Sequence, residues 1–450
     1  MRRPQPEQLP LVPAFHAHVR SRELEAMSQI LDAHPAVAQW VLDDLIQGQV
    51  SARHGREGMS GEQVLRVILV KQLGGFSYDE LAFFLADSVS YRAFCRIGIT
   101  QKIPTAKTLQ RNIKLVQPHT LEKINRLLVK HASTTGLENG QQLRVDCTVM
   151  ESNIHDPSDS SLLKDSVRVL TRLIVRAGKY VAVEFINHLR VAKRRALAIQ
   201  HARTNEERLP LYQELLKVTE KTMMAAQRTI AAFSTAYPPQ ALEDPAIDAL
   251  LGQLRHFHEL ARRVVDQTRR RIVFGEVVPA TEKLVSIFEP HTDIIIKDRR
   301  DTLYGHKLCL STGASGLITD CHVEKGNPAD STLAVGMVQR HTQIYEAPPR
   351  QVCFDGAFAS RANLDNIKDL KVGEVVFAKS KGIAIHEMAS SEESFRKLRY
   401  FRAGIEATIS FLKRCVGWTR CTWRSLSSFQ AYTWASVVAA NLLLIARHQL

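Results

Sequence analysis

Three acidic side chains stand where they could do chemistry. Asp146 lies between Val145 and Cys147 in Gln142-Leu-Arg-Val-Asp-Cys-Thr-Val-Met150, and Asp355 follows Phe354 at the end of Gln351-Val-Cys-Phe354. A carboxylate among apolar neighbours is costly to bury unless a cation or several hydrogen bonds compensate it. An Asp paired with a buried Arg or a backbone amide explains either one alone as well as a catalytic role does. Two on adjacent strands shift that balance, because close carboxylates repel and a divalent ion keeps both ionised. Hard oxygen ligands suit magnesium or manganese, not zinc. The third acid is Glu406, in a stretch from Arg399 to Lys413. At helical spacing Phe401, Ile405, Ile409 and Leu412 form an apolar stripe, while Arg402, Glu406 and Lys413 share a different face. A surface Arg402–Glu406 pair, worth only ~0.3–0.5 kcal/mol, accounts for that helix taken alone. If the stripe packs on a sheet, the charged face borders Asp146 and Asp355. A carboxylate flanked by Arg and Lys then suits metal binding beside a phosphodiester.

Basic residues form further groups. Lys107, Arg111 and Lys114 recur at i, i+4 and i+7, a stripe suited to a nucleic-acid groove or, equally, a solvated face. Lys193-Arg194-Arg195 and Arg269-Arg270-Arg271 lie in a segment, 164–271, that holds 20 Lys and Arg against 11 Asp and Glu. Such clustering is the electrostatic footprint of nucleic-acid contact, although a solvated bundle face has the same composition. Trp418 and Trp423 lie among Lys413, Arg414, Arg420 and Arg424. That interleaving can stack on unpaired bases, but core packing is the preferred reading. His306 and His322 are read as strand residues of the core or edge, not ligands.

The elements that must position these groups follow from apolar spacing. Helices are expected at 21–34, 36–47, 61–74, 77–87, 89–97, 105–116 and 119–135, with Ser60, Ser77 and Thr105 as caps. A strand follows at 142–150, then a turn-rich piece. Helical periodicity resumes over 161–272, with breaks at Leu209-Pro210 and Tyr237-Pro-Pro-Gln240. Strands at 304–311 and 317–324 flank Thr312-Gly-Ala-Ser-Gly316, a hairpin by turn chemistry. Asn327 is expected to cap a helix with Pro328 at its first position. Strands at 351–355 and 373–378 alternate with helices at 361–369, 398–414 and 428–447. This order predicts a mixed α/β sheet with helices on its faces. The expected division is an all-α region over 1–140 and an α/β region over 141–450, interrupted by a basic helical insertion at about 161–275.

Composition narrows the class. The chain has 450 residues, 45% hydrophobic and 24% charged, and 60 basic against 46 acidic residues give a net charge of +14. That surplus points to a polyanionic partner, nucleic acid first. The start, Met1-Arg-Arg-Pro-Gln-Pro-Glu-Gln-Leu-Pro10, has no apolar run behind its charges and does not read as a secretory signal. The apolar run Trp434–Ala446 is shorter than a bilayer requires and reads as a buried helix. Seven cysteines without a C-x-x-C pair fit free thiols in a reducing compartment. Neither H-E-x-x-H nor a Gly-rich phosphate loop occurs, which disfavours zinc hydrolases and P-loop enzymes.

In this order the motifs resemble a bacterial insertion-sequence transposase with a DDE catalytic core, closest to the ISNCY-type group. The first acidic motif is Val145-Asp146-Cys-Thr148 with Glu151-x-Asn153 and Pro157-x-Asp159, and the second is Phe354-Asp355-Gly356-Ala-Phe358. The third, Arg402-x-x-x-Glu406 through Lys413, is similar to the family's Y-R-E-K signature, although its tyrosine position is Arg399 and Tyr400 stands one place off. Gly305-His-Lys307, Gly316-Leu-Ile318 and Gly326-Asn327-x-x-Asp330 look like further landmarks. Phe76-Ser-Tyr-Asp-Glu-Leu81 and Asp87-Ser-x-x-Tyr91-Arg-x-Phe94 resemble an InsH-type N-terminal domain.

The resemblance implies an RNase H-like α/β core with a large helical insertion, preceded by an all-α DNA-binding domain. It also implies two-metal phosphoryl transfer. Asp146, Asp355 and Glu406 would hold two Mg²⁺ or Mn²⁺ ions per site, and Arg402 and Lys413 would neutralise phosphates. Lys107, Arg111, Lys114, Lys193, Arg194 and Arg195 are candidate DNA contacts. The implied partners are double-stranded DNA (element ends and target) and further copies of the chain in a dimer or higher oligomer. No membrane partner is expected, and the expected place is cytoplasmic, at the nucleoid. A metal-dependent DNA nuclease and a transposase-derived DNA-binding protein without catalysis are the alternatives.

Overall fold

The computed structural model describes residues 18–47, 58–237, 244–297 and 301–450. The Met1–Pro10 segment and the Pro238-Pro239-Gln240 break read from the sequence lie outside the described residues. The chain falls into two compact units, one of 1–152 with 305–450 and one of 153–304.

In the first unit seven helices precede the sheet: α1 (Val19–Asp32), α2 (Ala36–Ile46), α3 (Gly61–Gly74), α4 (Tyr78–Asp87), α5 (Val89–Phe94), α6 (Ala106–Ile113) and α7 (Pro118–Thr134). Their starts follow the predicted chemistry. Ser60 and Ser77 each close a reciprocal capping box, with Gln63 and Glu80, and Thr105 accepts from the Thr108 amide. Strand β1 (Gln142–Glu151) then begins the sheet.

The second unit is helical: α8 (Asp159–Ala177), α9 (Leu189–His201), α10 (Asn205–Ala236) and α11 (Pro245–Thr268), then a π turn at Arg269–Val273 and strand β2 (Asp293–Lys297). Leu163, Leu170, Leu215, Leu254 and Val264 are among the buried residues of its own core. The expected break at Leu209-Pro210 does not occur, because α10 runs through Pro210. Pro210 lies in the second turn past the Thr204 cap, and the amide bond lost there is outweighed by packing against α8, α9 and α11.

The chain returns to the first unit along β3 (Asp301–Thr312). It continues through β4 (Ile318–Val323), α12 (Ala334–Tyr345), β5 (Gln351–Phe354), α13 (Arg361–Asp369), β6 (Glu374–Phe377), α14 (Ile385–Met388), α15 (Glu392–Cys415) and α16 (Leu426–Gln449). Here strands pair in the order β4-β3-β1-β5-β6. β3 is antiparallel to β1 and β4, whereas β1, β5 and β6 are parallel. That order and these directions are those of the RNase H-like core expected above.

Asn327 does not cap α12. Its N-cap position is Leu333 without a side-chain cap, reached through a 3₁₀ turn at Asp330–Thr332. The polar groups of that segment instead hold Lys307, whose Nζ donates to the Pro328 carbonyl and to Asp330 Oδ1 at 2.6 and 2.8 Å.

Helix α16 is longer than the apolar run that marks it. Among the described residues it is the one helix long and apolar enough to cross a membrane by length and composition, yet 89% of that window is buried in this fold. It packs against α1, α3, α7 and β4. Its buried Asn441 is matched there: the side chain accepts from the Ile318 amide at 2.9 Å and donates to the Ile318 carbonyl and Asn125 Oδ1 at 2.7 Å. A buried amide needs such partners.

Candidate active site

Sheet register brings the first two acids together. Val145 of β1 pairs with Phe354 of parallel β5, so Asp146 and Asp355 follow side by side. Helix α15 crosses β1 and β5 and delivers Arg402 and Glu406. The Arg402 guanidinium lies at the centre: Nη2 is 3.0 Å from Asp146 Oδ2 and 3.6 Å from Asp355 Oδ1, and Nη1 is 2.6 Å from Glu406 Oε1. All three carboxylates therefore meet on one cation. Arg402 and Asp146 are each 15% exposed, Asp355 41% and Glu406 62%.

Asp146 is the most constrained of the three. Burial pushes its carboxyl pKa up, Arg402 and the Cys147 amide pull it down, and Asp355 and Asp330 raise it again, with a net rise. Its Oδ1 accepts from the Cys147 amide at 2.8 Å. Arg402 Nε is buried with no hydrogen-bond partner, so this guanidinium is held by the acids and not by a complete network.

Sequence reasoning missed the residue that docks α15. Arg144 is two residues before Asp146 and so faces the same side of β1. Its Nε donates to Thr312 Oγ1 at 2.7 Å, its Nη1 to the Phe401 carbonyl at 2.8 Å, and its guanidinium lies over the Phe401 ring. Gly404 makes the room, since a Cβ there would come within 1.9 Å of Arg144 Nη1. A strand arginine two places from an acid, with a glycine inside the charged helix, was the available signal. Glu374 of β6 anchors the other end: Ser390 and Ser394, at the start of α15, donate to its carboxylate.

The donor set fits a hard divalent cation, being made of carboxylate oxygens gathered around one positive charge. Their present spacing is that of a guanidinium's ligands, and among the described residues no three acidic, His or Cys side chains are close enough to hold an ion.

The other predicted residues divide. Lys107, Arg111 and Lys114 are all exposed on or just after α6, and Lys193 and Arg194 are exposed on α9. Arg195 pairs with Glu214. Arg269, Arg270 and Arg271 pair with Glu220, with Glu276 and Glu282, and with Asp159. Those four guanidinia serve the helical unit itself. Lys413 is half-buried in the last turn of α15. Trp418, Trp423 and His306 are core residues, whereas His322 is exposed on β4. None of the seven cysteines forms a disulfide among the described residues.

Two family models match the chain: "Transposase domain (DUF772)" over residues 14–115 and "Transposase DDE domain" over residues 295–442. No curated protein and no solved structure matches it. The second match contains Asp355, Arg402 and Glu406, while Asp146 lies between the two. Together the matches cover more than half of the chain, in the order its motifs follow, and the chain belongs to the insertion-sequence DDE transposases.

Proposed function

We propose that the chain binds the terminal inverted repeats of its element, cuts the DNA there and joins the freed 3′-hydroxyl to target DNA. The observation that carries this reading is the meeting of Asp146, Asp355 and Glu406, from two strands and a helix far apart in sequence, on one guanidinium. These carboxylates would hold two Mg²⁺ or Mn²⁺ ions. When bound, such ions activate water and stabilise charge on the attacking and leaving oxygens of an in-line displacement.

Cleavage forms a bond from the water oxygen to phosphorus and breaks the bond from phosphorus to the 3′ oxygen, which takes up a proton as the water loses one. Joining repeats the exchange, with the 3′-hydroxyl oxygen attacking and the target's own 3′ oxygen leaving. No protein–DNA bond is needed. Asp146, fixed by its strand and the Cys147 amide, sets the position of the donor set. Arg402 turns from the acids to a phosphate, which its fork matches, and Lys413 adds a point charge.

The helical region 1–140 is proposed to bind the repeats, with Lys107, Arg111 and Lys114 gripping them. The region 141–450 is the catalytic part, and its basic insertion at about 161–275 offers Lys193 and Arg194 to backbone phosphates. Two ends must be held together, so the active form is a dimer or larger, working on nucleoid DNA in the cytoplasm. The test is a labelled duplex ending in the inverted repeat that flanks the gene, incubated with Mn²⁺ and a target plasmid. Wild type should give nicked and joined products, and Asp146→Asn neither. Identical behaviour of the two proteins, or hydrolysis without any joined product, overturns the transposase reading.

A further inference from the structure

Arg402 is engaged by three carboxylates, so its own guanidinium is not free to take a phosphate in this arrangement. A second cation stands at its rim. β6 runs parallel to β5 with Phe377 beside Phe354, and the Ala378 amide donates to the Phe354 carbonyl at 2.9 Å. Asp355-Gly356 and Ala378-Lys379 therefore leave the sheet next to each other. Gly356 is where the side chain of Lys379 lies: a Cβ there would be 2.7 Å from Lys379 Cβ, 3.1 Å from Cγ and 3.3 Å from Cδ.

The lysine stem is thus laid on the backbone of the residue after Asp355, and its ammonium is carried to the surface. Lys379 is exposed and makes no ion pair among the described residues. The loop beyond it is a closed turn: Lys381 and Gly382 have φ of 46° and 90°, and the Ile383 amide bonds the Ser380 carbonyl at 3.0 Å. A packed stem on a fixed turn has fewer rotamers to lose when the charge is used.

We propose that Lys379 is a substrate-binding residue of this site, taking a non-bridging oxygen of a DNA phosphate beside the one that reacts, and that Gly356 lacks a side chain in order to admit its stem. The inference rests on the transposase reading. Its test compares wild type, Lys379→Ala and Lys379→Arg on the repeat-ended duplex. Binding is followed by fluorescence anisotropy across a salt series and cleavage in Mn²⁺. A parallel set of duplexes carries one neutral methylphosphonate linkage at successive positions around the cut.

Lys379→Ala should melt as wild type does, lower the slope of log K against log salt by about 0.9 and slow cleavage roughly tenfold. Lys379→Arg should stay near wild type. One methylphosphonate position should impair wild type but not Lys379→Ala. An unchanged salt slope, with every methylphosphonate acting equally on both proteins, overturns the inference. If the slope and that one position respond while wild type never cuts DNA, the phosphate contact stands and the chemistry proposed for the chain has failed.

Discussion

Replacing Arg402 by Gln tests whether this guanidinium stands in for the cation the acids are proposed to hold. Its contact with Asp146 is desolvated, both side chains being 15% exposed, and a charged hydrogen bond lost at such a place costs about 2 kcal/mol. The contacts with Asp355, at 3.6 Å, and with the exposed Glu406 add at most about 0.5 kcal/mol each. Without a divalent ion the variant should therefore lose about 2–3 kcal/mol and melt a few degrees lower. With the ion the sign reverses. Wild type must break these contacts before its carboxylates can turn to a metal, whereas the variant need not. Affinity for Mn²⁺ should rise by the same free energy, roughly 30- to 150-fold. Calorimetric titration with Mn²⁺, and melting with and without it, read both effects. Asp146→Asn supplies the reference without a site. A variant that binds Mn²⁺ no more tightly than wild type refutes the reasoning, as does one whose metal-free melting is unchanged.

Two further substitutions probe how α15 is seated. Gly404→Ala gains up to about 1 kcal/mol of helix propensity, but its Cβ would displace Arg144 from the Phe401 carbonyl and leave a buried guanidinium underpaired, at about 2–3 kcal/mol. A net loss of about 1–2 kcal/mol in urea unfolding is expected, and a neutral or stabilised variant would show that Arg144 does not fix the helix. Glu374→Gln addresses the other end. Burial alone would raise the Glu374 pKa, but hydrogen bonds from Ser390, Gln351 and Ser394 outweigh it and hold the carboxyl at about 2. Because the folded value is depressed, this stabilisation is complete above the unfolded value near 4.5 and fades as pH falls toward 2. Wild type should thus exceed Glu374→Gln by about 2 kcal/mol at pH 7, with the gap closing only below pH 4.5. A gap that stays constant down to pH 3 contradicts the assignment.

Local chemistry was legible wherever it acts within a few residues. The caps at Ser60, Ser77 and Thr105, the strand bearing Asp146 and the helix bearing Glu406 follow from spacing alone. What failed depended on partners distant in sequence. Asn327 looks like a cap, but its segment is recruited by Lys307. Pro210 looks like a break, but packing within the helical unit carries α10 through it. Charge runs are ambiguous for the same reason. Arg195 and Arg269–Arg271 suit phosphate contact or a solvated face, and each meets an acid of its own unit. Arg402 read either as half of a surface pair or as a phosphate contact. The register of Val145 with Phe354 brings a third and fourth group to it, and no helical wheel contains that register.

The charges at the site bear on what it would hold. Three ionised carboxylates against one guanidinium leave two negative charges, which is what one divalent cation neutralises. With Arg402 turned outward, the two divalent cations proposed for the site would leave acids and metals with one positive charge, which a single phosphate cancels. A second phosphate, which any DNA strand passing the site must bring, then needs a cation of its own from the protein. Beside Lys413, Arg402 in its outward position is one candidate and Lys379, held against Gly356 beside Asp355, is another. The two differ in a measurable way. Arg402→Gln should tighten metal binding while weakening DNA, because it removes a group that serves both in turn. Lys379→Ala should weaken DNA and leave the affinity for Mn²⁺ where it was, since its ammonium forms no ion pair with any of the three acids.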